Sequence, residues 1–196
     1  MATFNSVDFT LIGADSPEPV LGGMVAAEFF DVLAVQPIFG RLFLEEDIQT
    51  GRDHVAVLSY NLWQRRFGSD PHIIGRSIRL DATAYTVVGV LPQGFNFSIP
   101  DYYKSRDLWV PNVLPRDTSK RGHKYLSVIA RLKQGVTLRQ AEQDMSVITE
   151  RLAREYPREM TGFGVKLTPL HEQIVGDIRL VLLLLFGAVS FLLLIA

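Results

Sequence analysis

The sequence predicts an α+β fold with mixed, mostly antiparallel sheets and packed helices, followed by the start of a transmembrane helix. Two observations predict the fold class. Strand and helix patterns alternate in β-β-α and β-α-β-β order, and one long amphipathic helix follows them at 137–156. A third observation predicts the membrane segment, because the last seventeen residues contain no charged side chain.

These patterns divide the chain into a core domain at 1–175 and the beginning of a membrane helix at 178–196. The core domain has the length of one compact domain or of two small subdomains. Four prolines between Pro92 and Pro115 predict an irregular lobe, about 92–124, around Leu108-Trp109-Val110.

The N-terminal third predicts a hairpin followed by a short helix. Val7–Ile12 and Val20–Val25 have strand patterns on either side of a stretch rich in turn residues. Val25–Leu33 places its apolar residues on one helical face and stops before Gln36-Pro37. Residues 40–47 are predicted to form a connecting loop.

The middle of the chain predicts a strand, a capped helix and a second hairpin. His54–Leu58 is a short apolar strand, after which Ser59 caps a helix over Tyr60–Phe67 that Gly68 ends. The hairpin strands are Arg76–Leu80 and Tyr85–Val90, joined across Asp81-Ala82-Thr83.

Beyond the predicted lobe, Tyr125–Leu132 has a strand pattern and Gly135 turns the chain. Thr137 and Gln140 form a capping box for a helix over Thr137–Tyr156, which Pro157 ends. Its apolar side chains step by three and four, so we expect one stripe to pack on a sheet. The stripe consists of Leu138, Ala141, Met145, Ile148 and Leu152. Gly164–Leu170 is predicted as the last strand.

The segment Leu180–Ala196 has the composition of a membrane helix. Its thirteen Leu, Ile, Val and Phe residues contribute about −4 to −8 kcal/mol to insertion. The alternative is a buried helix of a soluble protein, which normally needs a polar face that this segment lacks. Residues 1–6 show no signal-peptide pattern, so we expect an upstream segment to direct the domain out of the cytoplasm.

Several classes of function find no support in the sequence. A net charge of −1 gives no general attraction to nucleic acid, and we expect no nucleic-acid partner. There is no cysteine and no phosphate-binding loop, and the four histidines have no ligand spacing. Asp53-His54 is the one candidate acid–base pair, but strand neighbours point to opposite faces. We therefore predict no enzyme, no catalytic or metal-binding residue and no cofactor.

Three other features each have a structural and a functional interpretation. Gly22-Gly23 marks a strand bend or a ligand contact. The basic stretch at 116–124 is a solvated loop or a contact for anionic lipid or an acidic partner. Four aromatic residues beside turns are core anchors or line a groove for an apolar ligand. They are Trp63, Phe67, Phe97 and Trp109.

Segments along nearly the whole chain, in order, resemble the MacB-like periplasmic core domain of ABC transporter permeases, in the group of FtsX-like and duplicated orphan permeases. Glu28–Pro37 with Gly40–Phe43 is similar to its YFxVLGVxPxxGRxF segment, and Val55–Gly68 to its VAVLSxxLWxxxFG segment. The other matching segments are Ile74–Leu80, Tyr85–Pro92, Asp107–Pro111 and Arg131–Leu138. The turn at Asp81-Ala82-Thr83 differs, since the family favours Asn-Gly there.

The resemblance implies a domain facing the periplasm or cell exterior, on a permease of the bacterial inner membrane that takes part in efflux. It implies a separate ABC ATPase subunit, a second permease copy or duplicated half, and the lipid bilayer as partners. The cargo stays open among drugs, peptides, lipids and lipoproteins. The alternatives are a membrane-anchored periplasmic module that binds a ligand or partner without transport, and a membrane-tethered hydrolase that uses Asp53 or His54.

Overall fold

The computed structural model describes residues 1–13, 16–97, 105–113, 126–160, 162–172 and 185–186 of the 196. The chain forms two compact units. The first contains residues 1–97 and 104–135, and the second contains residues 98–103 and 136–196. The α+β class is confirmed, since a mixed sheet lies in the first unit and a long helix in the second.

The described residues of the first unit form eight strands in one sheet. They are β1 (Ala2–Ile12), β2 (Glu18–Val25), β3 (Phe39–Gly40), β4 (Val55–Leu58), β5 (Ser77–Leu80), β6 (Thr83–Val90), β7 (Leu108–Pro111) and β8 (Ser127–Ile129). Pairing runs from β2 through β7, β4, β6 and β5 to β1, which pairs with β2 again. Six strands therefore form a closed ring. The pairs β2–β7 and β4–β6 are parallel, and the other pairs are antiparallel.

Three short helices accompany these strands, and each follows from local sequence. Ser59 caps α2 (Tyr60–Phe67) by accepting a hydrogen bond from the Leu62 N–H, and Gly68 ends it at φ +61°. The helix α1 (Phe29–Leu33) ends at Ala34 in the left-handed region. Two 3-10 turns lie at Glu45–Ile48 and Pro71–Ile73.

The core of this unit lies between α2 and the strands that face it. Leu62 and Trp63 of α2 pack with apolar side chains from β4, β5, β6 and β7, all of which are nearly inaccessible to solvent. The alternation of β5 explains its part, because Ile78 and Leu80 are buried while Ser77 and Arg79 are exposed.

Several predictions for the N-terminal third need correction. Helix α1 begins four residues later than predicted, because Val25 is paired with Phe4 in the β1–β2 ladder. Part of the predicted loop at 40–47 is regular, since Gly40 pairs with Gly89 and a 3-10 turn begins at Glu45.

The pair Gly22-Gly23 does not bend β2, because the β1–β2 register runs through both residues without interruption. The glycines instead admit large neighbours. A Cβ on Gly22 would lie 2.7 Å from the Phe9 ring, and one on Gly23 would lie 2.8 Å from Cδ1 of Trp109.

The centre of the predicted irregular lobe is also regular. Leu108–Pro111 forms β7, in which all four residues are buried between β2 and β4. A strand enclosed on both sides has no polar alternation, so its short apolar run gave no strand signal among the prolines.

The second unit contains α3 (Leu138–Glu155), and Thr137 and Gln140 form the predicted capping box. The predicted stripe is only partly covered, since Ile148 is 50% exposed and Thr149 is the buried residue of the helix. Pro157 follows the C-cap, as predicted, and begins a short helix α4 (Pro157–Met160). The predicted strand Gly164–Leu170 is wrong, because Gly164–Pro169 has no regular structure and Leu170 starts a helical turn.

The predicted membrane segment Leu180–Ala196 lies outside the described residues except for Leu185 and Phe186, which are helical and exposed. Among the residues that the structure describes, no helix combines the length and the hydrophobicity that crossing a bilayer requires.

Candidate functional site

A network of ion pairs joins α2 to β2 and β7 at one end of the strand ring. The Arg65 guanidinium donates to Glu18 Oε1 at 2.7 Å and to Asp107 Oδ1 at 2.9 Å. The other oxygen of Asp107 accepts from the Leu21 N–H at 3.1 Å. Burial alone would lower the pKa of Arg65, but its hydrogen bonds to Asp107 and Glu18 raise that pKa overall. Arg65 is thus a permanent cation that holds three elements together.

A second ion pair fixes the segment between β3 and the 3-10 turn at Glu45. Arg41 donates to both carboxylate oxygens of Asp47, and the Leu44 N–H donates to Oδ2 at 2.8 Å. Burial would raise the pKa of Asp47, whereas the hydrogen bonds from Arg41 and Leu44 lower it, and the net pKa is below its ordinary value. Asp47 is 4% exposed, so its charge depends on these partners.

The candidate acid–base pair lies just before β4 and therefore escapes the strand alternation on which the prediction relied. His54 Nδ1 is 3.7 Å from Asp53 Oδ1, too far for a hydrogen bond. That carboxylate instead accepts from the Gly51 N–H at 2.8 Å, as a turn residue does. Burial, with the charges of Asp53 and Asp81, raises the pKa of Tyr85, which packs on the His54 ring at 5.4 Å. This geometry holds a turn in place.

The aromatic residues singled out by the sequence divide between the two interpretations. Trp63, Phe97 and Trp109 are at most 6% exposed and are core residues. Phe67 is partly buried and lines a surface groove. The basic stretch at 116–124 lies outside the described residues. In the part of the chain that the structure describes, no three His, Asp or Glu side chains are grouped as metal ligands would be.

The groove has a volume of about 620 Å³ and lies where β1 meets β5, beside the end of α2. Three arginines line it: Arg66 from α2, Arg76 from the residue before β5, and Arg79 from β5. Its apolar lining includes the buried side chains of Leu11, Ile73 and Ile78. We call this feature the arginine groove. Sequence reasoning missed it because the three arginines come together only through the β1–β5 pairing and the packing of α2.

Comparison with known proteins identifies the family. The MacB-like periplasmic core domain family matches residues 2–148. A search of curated proteins finds no match.

Three solved structures share the fold. The periplasmic region of MacB from Actinobacillus actinomycetemcomitans is 18% identical with a TM-score of 0.56, covering 81% of this chain and 68% of that one. The extracellular domain of the noncanonic ABC-type transporter YknZ from Gram-positive bacteria is 15% identical with a TM-score of 0.55, covering 81% and 78%. A domain of a putative permease from Porphyromonas gingivalis is 16% identical with a TM-score of 0.52, covering 89% and 81%.

The family match spans most of the chain and agrees with the resemblance found in its sequence. Family members are periplasmic domains of transporter permeases and are not enzymes. The chain therefore belongs to the MacB-like periplasmic core domain family of ABC transporter permeases.

Proposed function

We propose that this domain relays ATPase-driven motion across the membrane during export by an ABC-type efflux permease. The family match over residues 2–148 carries the proposal. In it, a separate ATPase subunit hydrolyses ATP, and a second permease copy or duplicated half completes the transporter. The absence of a phosphate-binding loop from the sequence supports the division of labour between subunits.

In this proposal, residues 1–175 form the core domain outside the cytoplasm, and residues 178–196 begin a helix in the bacterial inner membrane. The uncharged apolar composition of Leu180–Ala196 supports the membrane placement. The printed descriptions of the related solved domains, periplasmic and extracellular, support the exterior placement.

The closed strand ring is suited to such a relay because it moves as one body. Each of its six strands is hydrogen-bonded on both sides, and the Arg65 network ties α2 to the ring. A stiff final strand, predicted at Gly164–Leu170, is not available to transmit force. Force from the membrane helix would instead pass through a short segment after the helical turn at Leu170, so added length there should introduce slack.

A flexible Gly-Ser spacer inserted at Gly176 tests the relay in the full-length permease with its ATPase in proteoliposomes. ATP turnover and efflux would be measured with a fluorescent amphiphile that the wild type exports. We expect turnover to persist while efflux is lost. A spacer of the same length at Gly51, in an exposed turn, is the control and should leave both unchanged.

Unchanged efflux with the Gly176 spacer would contradict the relay. If the wild-type protein shows no ATP-dependent efflux and no association with an ATPase, a membrane-anchored binding module becomes the better interpretation.

A further inference from the structure

We propose that the arginine groove is a binding site for an amphiphilic anion, a phosphate or carboxylate group attached to an alkyl or acyl chain. The proposal rests on the geometry of the first unit and stands whether or not the relay exists. A volume of about 620 Å³ is within the usual range of small-molecule sites.

The cationic half of the site consists of Arg66, Arg76 and Arg79. Arg66 is held in place, with Nη2 3.0 Å from the Ser16 carbonyl and Nε 3.8 Å from Glu18. Arg76 pairs with Asp70 at 2.8 Å and is 60% exposed. Arg79 is exposed, and among the described residues it forms no salt bridge. Guanidinium groups in this number bind carboxylate or phosphate through several charge-assisted hydrogen bonds.

The surroundings leave this positive charge uncompensated. Glu18 is shared with Arg65, so the two nearby carboxylates, Glu18 and Asp70, serve four arginines. No Asp or Glu belongs to the described lining of the groove. The closest acid in the chain, Asp81 beside Ala82, already accepts a hydrogen bond from the Thr10 N–H at 2.9 Å.

The apolar half gives the site its second requirement. Leu11, Ile73 and Ile78 contribute buried side chains to the lining, and Phe67 stands beside them. Small residues, Ala82 and Ala84, leave the hairpin side open. Burial of a hydrocarbon chain there stabilises a complex by removing apolar surface from water, which a free inorganic anion cannot do.

The test uses the full chain in nanodiscs of zwitterionic lipid, with octyl phosphate as the probe. Inorganic phosphate lacks the chain, and octyl glucoside lacks the charge. We expect octyl phosphate to bind at least about tenfold more tightly than either, because only it satisfies both halves of the site.

Two variants separate charge from shape. The double variant Arg76→Gln/Arg79→Gln should weaken octyl phosphate binding by about tenfold or more, since charge-assisted hydrogen bonds are lost. Ala84→Trp fills the groove without changing the charge and should weaken it similarly. Arg52→Gln removes an exposed arginine outside the groove and should leave the affinity within about twofold.

Equal binding of octyl phosphate and inorganic phosphate would overturn the proposal, as would unchanged affinity in Ala84→Trp. Anionic-lipid nanodiscs then identify the source of the natural ligand. If the groove takes a bilayer lipid, anionic lipid competes and weakens octyl phosphate binding to the wild type. If it takes a dispersed amphiphile, binding is the same in both nanodiscs. Both results support the site.

Discussion

The indole of Trp109 occupies the space that a side chain on Gly23 would need. The two residues are paired across β2 and β7, and a Cβ built on Gly23 lies 2.8 Å from Cδ1 and 3.1 Å from Nε1 of Trp109. Trp109 is 1% exposed and also contacts the Phe30 and Phe95 rings, so it has little room to move. Gly23 is therefore a packing requirement of the ring.

Gly23→Ala should lower the free energy of unfolding by roughly 1–3 kcal/mol, the usual cost of overpacking a core. Tryptophan fluorescence during urea unfolding measures the change, because both tryptophans lie in the first unit. Gly164→Ala is the control, since a Cβ at Gly164 meets nothing within 4 Å. Equal midpoints for the two variants would show that the indole yields easily.

The turn between β5 and β6 depends on Asp81. This residue adopts φ +53°, and its Oδ1 accepts a hydrogen bond from the Thr10 N–H at 2.9 Å. Asp81→Ala should cost about 2 kcal/mol, from the left-handed backbone and the lost hydrogen bond. Asp81→Asn should be nearly neutral, because asparagine tolerates this conformation and retains the acceptor. Thermal unfolding compares the two, and equal losses in both variants would contradict this role.

Asp47 should make stability depend on acid pH. Its folded-state pKa is below the ordinary value of 3.8, so its contribution is fully present above that value. The contribution is lost as pH falls through the folded pKa. Asp47→Asn should be less stable than wild type at pH 7, and the difference should shrink on acidification. Urea midpoints across that range measure the difference, with Asp8→Asn, at an exposed position of β1, as the control for charge. A difference independent of pH would contradict the assignment.

The Arg65 network should contribute more than an ordinary surface pair. Arg65→Met leaves Glu18 and Asp107 without this partner, and solvent screening of the 43% exposed side chain limits the expected loss to about 1 kcal/mol. Arg52→Met breaks the more exposed pair with Glu46 and should cost less than about 0.5 kcal/mol. Fluorescence-monitored urea unfolding ranks the two variants, and the reverse order would show that the network is not structural.

The elements predicted well from sequence are those set by local signals. Ser59 and Gly68 define α2, and Thr137 with Gln140 defines the start of α3, because capping depends on neighbours within one turn. The hairpins followed from alternation and turn residues.

What sequence reasoning missed depends on distant parts of the chain. The strand β7 exists because Leu108–Pro111 fits between β2 and β4, which no local pattern shows. The arginine groove likewise depends on pairing of β1 with β5 through only two residue pairs. Phe67 was noted as a candidate groove residue, but its arginine neighbours were not.

The relay is tested most directly by whether the domain moves when ATP binds. The chain has no cysteine, so Arg52→Cys places one spin label on an exposed residue of the first unit in each permease copy. Pulsed EPR then measures the distance between labels in two assembled copies, without nucleotide and with ATP. The account predicts that ATP shifts the distance distribution, and an identical distribution in both states would contradict it.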